Sequence, residues 1–242
     1  GSVYLNNLEN IDSAIYYFEK SIQINEEYVS AYINKGNAYS INGNYEKALN
    51  EYNRGLKINS NDYGLLEARA DLFYSWNEYE LGIEEYKKII KIYPDEINPN
   101  YNLGLIYDEI NDNKNAIKYY TKEIELDPED PFAYITRGLV HQRIENYDNA
   151  LDDFDKAISL DPEDRNNYYY KINLLKVIGD LKSAYNLTNE TIEMDIDDPQ
   201  GYYVLAELFY NDGEVIDALE NIIITQSKLE RDNDYWISNM DG

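Results

Sequence analysis

Hydrophobic and polar positions along the chain alternate with the period of an α-helix. In residues 29–62, Tyr32, Gly36 and Tyr39 are spaced i, i+4 and i+7. The second half of the same segment continues the period at Tyr45, Ala48, Leu49, Tyr52 and Leu56. Because an α-helix has 3.6 residues per turn, positions spaced in this way share one face. The segment therefore predicts two amphipathic helices joined by a turn.

The same pattern returns every 34 residues. A small residue stands in each of seven equivalent places: Ala14, Ala48, Gly82, Ala116, Ala150, Ala184 and Ala218. An aromatic residue follows four positions later at Phe18, Tyr52, Tyr86, Tyr120 and Phe154. Self-similarity at a fixed period of this length indicates a repeat architecture. A helix pair this short cannot bury its apolar face alone, so we predict an all-α array of stacked pairs without a sheet.

Turn and cap signals divide the chain into units. Residues suited to a left-handed turn separate the two helices of a unit at Gly43, Asn77, Asn111, Gly179 and Gly213. Aspartates in N-cap position precede the first helices at Asp62, Asp130, Asp164 and Asp198. We predict one domain over 1–242, with a partial unit at 3–28, full units at 29–62, 63–96, 97–130, 131–164, 165–198 and 199–232, and a tail at 233–242.

A 34-residue helix–turn–helix unit with aromatic, Gly/Ala, aromatic, Ala, aromatic and Pro at these offsets resembles the tetratricopeptide repeat. The segments DNKNAIKYYTKEIELDPEDP and NYDNALDDFDKAISLDPEDR are similar to the family pattern, whereas unit 165–198 departs from it at Ile172, Thr188 and Thr191. The resemblance implies a right-handed α-solenoid of about seven units. It also implies that the first helices line a concave groove that binds peptides or folded partners, and that the protein is a scaffold and not an enzyme.

Charge and composition narrow the choice of partner. The chain carries 47 acidic and 21 basic residues, a net charge of −26. Nucleic-acid binding requires a surplus of Lys and Arg, so this charge argues against a nucleic-acid partner and against the basic pentatricopeptide repeats. The chain has no cysteine and one histidine, which disfavours metal sites built on those ligands. We expect no cofactor, no metal and no membrane span.

The groove-facing stripe of the first helices begins with Ile33, Asn37 and Ser40 and recurs in each unit. It is acidic in the N-terminal half and tyrosine-rich in the C-terminal half. Tyrosines suit binding anchors, and asparagine amides both donate and accept hydrogen bonds. The predicted partner-binding residues are Asn34, Asn37, Asp71, Tyr74, Tyr101, Asn102, Asp108, Tyr169, Asn173, Tyr203 and Tyr210. The alternative is that these tyrosines only cover neighbouring helices in a chain with 27 of them.

Family members that bind chaperones use a clamp of Lys, Asn, Asn, Lys and Arg for two carboxylates. Asn37 matches one clamp position, but Ile33 stands where the first lysine belongs. We therefore expect the groove to take a neutral or basic segment rather than an acidic tail.

The leading hypothesis is a non-catalytic interaction module that holds a protein or peptide segment. An alternative is a regulatory or targeting segment of a larger enzyme or complex, because the first unit begins within its first helix at Val3 and Tyr235-Trp236 stand where an eighth unit would start. A third hypothesis is self-association through the apolar face of a terminal unit.

Overall fold

The computed structural model describes residues 11–240, with side chains described up to residue 229. This part of the chain contains thirteen α-helices and no strand. The helices are α1 Ile11–Ile24, α2 Val29–Ile41, α3 Tyr45–Ile58, α4 Tyr63–Ser75, α5 Tyr79–Ile92, α6 Asn98–Glu109, α7 Asn113–Leu126, α8 Pro131–Arg143, α9 Tyr147–Leu160, α10 Arg165–Ile178, α11 Leu181–Met194, α12 Pro199–Asp212 and α13 Val215–Met240. The predicted all-α array is confirmed. The start of the partial unit, including Val3, lies outside the described residues.

The helices pair in the predicted order. Helix α1 is the second helix of the partial unit, and six pairs follow, from α2 with α3 to α12 with α13. The first helices also contact each other, α2 with α4 and α8 with α10. By its contacts the chain divides into two compact units, Gly1–Pro128 and Glu129–Gly242. A single domain over 1–242 stays a prediction.

The turn between the two helices of a pair adopts a left-handed conformation at the predicted positions. The backbone φ angle is +71° at Gly43, +61° at Asn77 and +58° at Asn111. Glu145 has a φ of +60° in the same 34-residue register, and the sequence did not suggest it. Glutamate has no preference for this region, so composition gives no signal for the turn at that position.

The predicted N-caps are confirmed. The side chains of Asp62, Asp130, Asp164 and Asp198 each accept a hydrogen bond from a backbone N–H in the first turn of the helix that follows. Each bond satisfies an amide that has no partner within its helix. Four of the first helices, α4, α8, α10 and α12, thus have a side-chain cap at their start.

The small residues of the first helices receive the aromatic rings of the second helices. A Cβ atom on Gly138 would lie 2.7 Å from Cε1 of Phe154, so only glycine allows the ring to lie against the helix there. Gly104 and Tyr120 pack in the same way. In unit 165–198 the aromatic is missing, and a buried Ile172 stands at the glycine position instead. The departure from the family pattern keeps this position apolar and buried.

Helix α13 differs from the prediction for the tail. It continues over 26 residues from Val215 to Met240, so Tyr235-Trp236 belong to this helix and do not begin a new one. Residues 225–240 contain neither glycine nor proline, the residues that end helices most effectively. The side chains of Tyr235 and Trp236 lie outside the described residues.

Candidate functional site

In the first compact unit, a cavity of about 400 Å³ lies between α2 and α4. It is lined by Ile33, Asn37, Ser40, Ile41, Tyr52, Gly64, Glu67, Ala68, Asp71, Leu72 and Ser75. The lining includes the groove-facing stripe expected for α2 and the two acidic stripe residues of α4. The structure therefore brings two of the predicted residues, Asn37 and Asp71, to one surface.

Buried tyrosines of the second helices hold these two polar side chains in place. The hydroxyl of Tyr52 donates a hydrogen bond to Oδ1 of Asn37 at 2.6 Å. The hydroxyl of Tyr86, one repeat later, donates to Oδ1 of Asp71. Asn102, a third predicted residue, is half-buried on α6. Each tyrosine ring thus crosses the core and presents its polar tip to the stripe.

Two carboxylates face this cavity from successive turns of α4. Asp71 is exposed, but local desolvation of its carboxyl raises its pKa, the hydrogen bond from Tyr86 opposes that rise, and the negative charge of Glu67 adds to it. The hydroxyl of Tyr63 donates to Oε1 of Glu67 at 2.8 Å. Among the described side chains, no lysine or arginine lines the cavity or forms an ion pair with either carboxylate.

Carboxylates between the helices of a pair are, by contrast, matched with cations. Lys35 Nζ lies 3.1 Å from Glu51, and Arg69 Nη2 lies 2.7 Å from Glu85. In the second compact unit, Arg137 Nη2 lies 2.5 Å from Asp153. Each acid follows its cation by 16 residues, a spacing that repeats with the 34-residue period. These pairs are absent from the predictions made on the sequence, although the 16-residue spacing between cation and acid is visible there.

The remaining predicted residues of the first unit do not line the cavity. The Tyr74 ring lies 6.1 Å from that of Tyr79, and the Tyr101 ring lies 6.2 Å from that of Tyr120, measured between centroids. Asn34 and Asp108 are half-buried. Tyr74 and Tyr101 therefore pack against the second helix of their own pair, which matches the alternative interpretation of these tyrosines.

In the second compact unit, the predicted residues have unlike surroundings. Tyr203 and Tyr210 are 53% and 69% exposed on α12, and Asn173 is exposed on α10. Tyr169 is only 5% exposed, because it packs in a core cluster and its hydroxyl donates to Oδ2 of Asp198 at 2.8 Å. A tyrosine held in this way does not present a ring to a partner, so Tyr169 is removed from the candidate anchors.

An apolar face is exposed on α13. Ile222 is 48% exposed, although its counterpart Phe154, two repeats earlier, is fully buried. Leu219 and Ile223 beside it are more than half exposed. In the pairs α2–α3, α4–α5, α8–α9 and α10–α11, the following first helix packs on the second helix. Self-association through this face stays a prediction, which light scattering over a concentration series tests.

Sequence profiles of the tetratricopeptide repeat match residues 29–62, 97–130 and 131–164. These are three of the units that the 34-residue period defines. The chain is a tetratricopeptide repeat protein. In this tetratricopeptide repeat protein, the unmatched segments 63–96, 165–198 and 199–232 fold into the same helix pairs. No curated protein matches the sequence.

Solved structures show the same fold at low sequence identity. The C-terminal part of a tetratricopeptide repeat protein from Cytophaga hutchinsonii superposes with a TM-score of 0.76 at 16% identity, covering 93% of each chain. MamA from Desulfovibrio magneticus, from residue 41 to its end, gives 0.60 at 21% identity, covering 69% of this chain and 94% of that one. YrrB, described as a tetratricopeptide repeat protein with an unusual peptide-binding site, gives 0.58 at 21% identity, covering 76% and 95%.

The length and polarity of a helix decide whether it can cross a lipid bilayer. Over the part of the chain that the structure describes, every helix is too short or too polar to cross a lipid bilayer. In the same part, no three His, Cys, Asp or Glu residues are grouped in a way that would hold a metal ion.

Proposed function

We propose that this tetratricopeptide repeat protein is a non-catalytic interaction module that holds a peptide or protein segment against its first helices. The observation that carries the proposal is the cavity between α2 and α4, which combines groove-facing residues of two consecutive first helices. Its open face is lined by both apolar and hydrogen-bonding side chains. Such a mixed surface is typical of a site that binds a peptide.

The exposed tyrosines of the second compact unit add a second contact surface to the proposal. Tyr203 and Tyr210 lie about two helical turns apart on the same face of α12. A tyrosine has a large apolar ring, a polar tip and few rotatable bonds, so it gives contact area at a small entropic penalty. The peptide-binding site of YrrB, which shares this fold, is in keeping with such a role.

Selection of a random peptide library displayed on phage tests the proposal with the whole 242-residue chain. We expect selected peptides to bind wild-type protein and to lose about ten-fold or more in affinity on Ser75→Trp. Ser75 lines the cavity and is exposed, so a tryptophan there fills the cavity without entering the core.

The matched control is Ser159→Trp on α9. Both serines are exposed, and each hydroxyl donates to a backbone carbonyl of its own helix. The control variant should bind the selected peptides within about two-fold of wild type. If no peptide is enriched, or if Ser75→Trp binds as well as wild type, the assignment of the cavity as a binding site is wrong.

A further inference from the structure

The cavity between α2 and α4 has an apolar wall beside its carboxylates. Ile33 and Ala68 provide aliphatic side chains on opposite helices, while Glu67 and Asp71 lie one turn apart on α4. A side chain that fits both parts needs an apolar stem and a charged tip. Lysine and arginine have this form, since they lay their methylene groups along apolar surface and keep the cation at the end.

The charges around the cavity are unbalanced within the described part of the chain. Two carboxylates between paired helices of this unit have a cation 16 residues away, in the pairs Lys35–Glu51 and Arg69–Glu85. Arg69 lies on the same helix as the two cavity acids, but its guanidinium bonds Glu85 and Asn53. The guanidinium of Arg69 therefore pairs with Glu85 of α5 and does not neutralise the negative charges of Glu67 and Asp71.

The fold itself does not require a negative charge at position 71. The equivalent position one repeat earlier is Asn37, whose amide oxygen accepts the same tyrosine hydrogen bond that Asp71 accepts. A neutral side chain thus satisfies the core tyrosine equally well. An aspartate that faces a second carboxylate one helical turn away destabilises the fold, which is common for residues that serve binding.

We propose that this cavity is a subsite for one lysine or arginine side chain of the bound segment, with the stem between Ile33 and Ala68 and the cation at Glu67 and Asp71. The inference rests on the proposed function, because it names the chemistry of the segment held there. It assigns the bound segment a basic residue at one fixed position, with no requirement for a basic character elsewhere.

The test repeats the library selection with the variant Glu67→Gln/Asp71→Asn. Both amides keep an oxygen that accepts the hydrogen bonds from Tyr63 and Tyr86, so the cavity retains its shape and loses only its charge. Peptides selected on wild type should share a lysine or arginine at one position. Peptides selected on the variant should lack this preference.

The matched control is Glu80→Gln/Glu84→Gln. These two carboxylates are exposed and also lie one turn apart, on α5, so the variant removes the same net charge away from the cavity. On this control the basic position should remain enriched. Equal loss of enrichment in both variants would mean that the whole acidic surface, and not the cavity, attracts the cation.

Replacing the selected basic residue by norleucine separates the cation from its stem. On wild-type protein the norleucine peptide should bind about ten-fold more weakly, and on the amide variant the two peptides should bind alike. Selected peptides without a shared basic position would overturn the subsite and leave the proposed function standing. If no peptide is selected at all, the proposed function fails and the subsite fails with it.

Discussion

Single residues decide how polar the groove-facing surface is. The pairs Tyr52–Asn37 and Tyr86–Asp71 occupy equivalent positions in consecutive repeats, with a neutral acceptor in one and a charged acceptor in the other. The hydrogen bond is available in both cases. The two pairs therefore differ in the charge of the acceptor. Comparing them shows how a carboxylate at this position changes the free energy of unfolding.

Replacing Asp71 by asparagine should stabilise the protein near neutral pH. The variant reproduces the Tyr52–Asn37 pair and removes the repulsion between the carboxylates of Asp71 and Glu67. Relief of a like-charge contact one helical turn apart contributes about 0.2–0.5 kcal/mol, and because Asp71 is exposed, solvent screening keeps the gain within this range. Urea unfolding of both proteins at pH about 7 measures the gain.

The pH dependence gives this prediction a definite sign. Asp71 has a pKa above 3.8 in the folded state, so its carboxylate destabilises the fold at neutral pH and stops doing so once it is protonated. The advantage of Asp71→Asn should shrink as the pH falls through the raised pKa towards 3.8. The reverse change, Asn37→Asp, should destabilise at neutral pH. An advantage of Asp71→Asn that stays constant with pH would contradict the electrostatic explanation.

At the scale of helices and turns, the sequence predicted most of what the structure contains. The 34-residue period located each helix pair because the same side chains recur wherever two helices pack. Caps and turns were predictable where Asp, Asn or Gly stands, since these residues favour such backbones locally. The predictions therefore succeeded where the cause is local to a few residues.

The predictions failed where the cause is the neighbouring helix. The sequence places Tyr169 on the groove-facing stripe, but only packing against α12 shows that its ring is buried. The pairing of Arg69 with Glu85 also depends on which helix faces which. For the cavity itself, the stripe predicted Asn37 and Asp71, and the structure added the tyrosines that hold them.

The turn between α8 and α9 provides a prediction for one element. Glu145 has a φ of +60° where Gly43, Gly179 and Gly213 stand in other repeats. A side chain with a Cβ atom is strained there by about 1–2 kcal/mol, so Glu145→Gly should raise the free energy of unfolding by about 1 kcal/mol. Urea unfolding checks the value. The control Glu145→Ala keeps the Cβ atom and should give no such gain; an equal gain from alanine would exclude strain as the cause.

At the scale of the whole molecule, acidic charge outweighs basic charge by more than two to one, 47 against 21. Ion pairs such as Lys35–Glu51 use part of the basic charge, and most carboxylates are left to repel one another across the surface. Salt weakens both the ion pairs and the repulsion between carboxylates, but it acts most on charges that are exposed and far apart. With a net charge of −26, the repulsion should be the larger of the two effects.

The melting temperature should therefore rise with sodium chloride. Between about 0.02 and 0.5 M salt we expect a gain of a few degrees, since about 1 kcal/mol shifts the Tm of a chain of this size by about 2–4 °C. Thermal unfolding followed by circular dichroism measures the slope against salt concentration. Glu80→Gln/Glu84→Gln, which removes two exposed charges, should have a smaller slope than wild type. A Tm that falls with salt would show that the ion pairs between helices contribute more to stability than surface repulsion takes away.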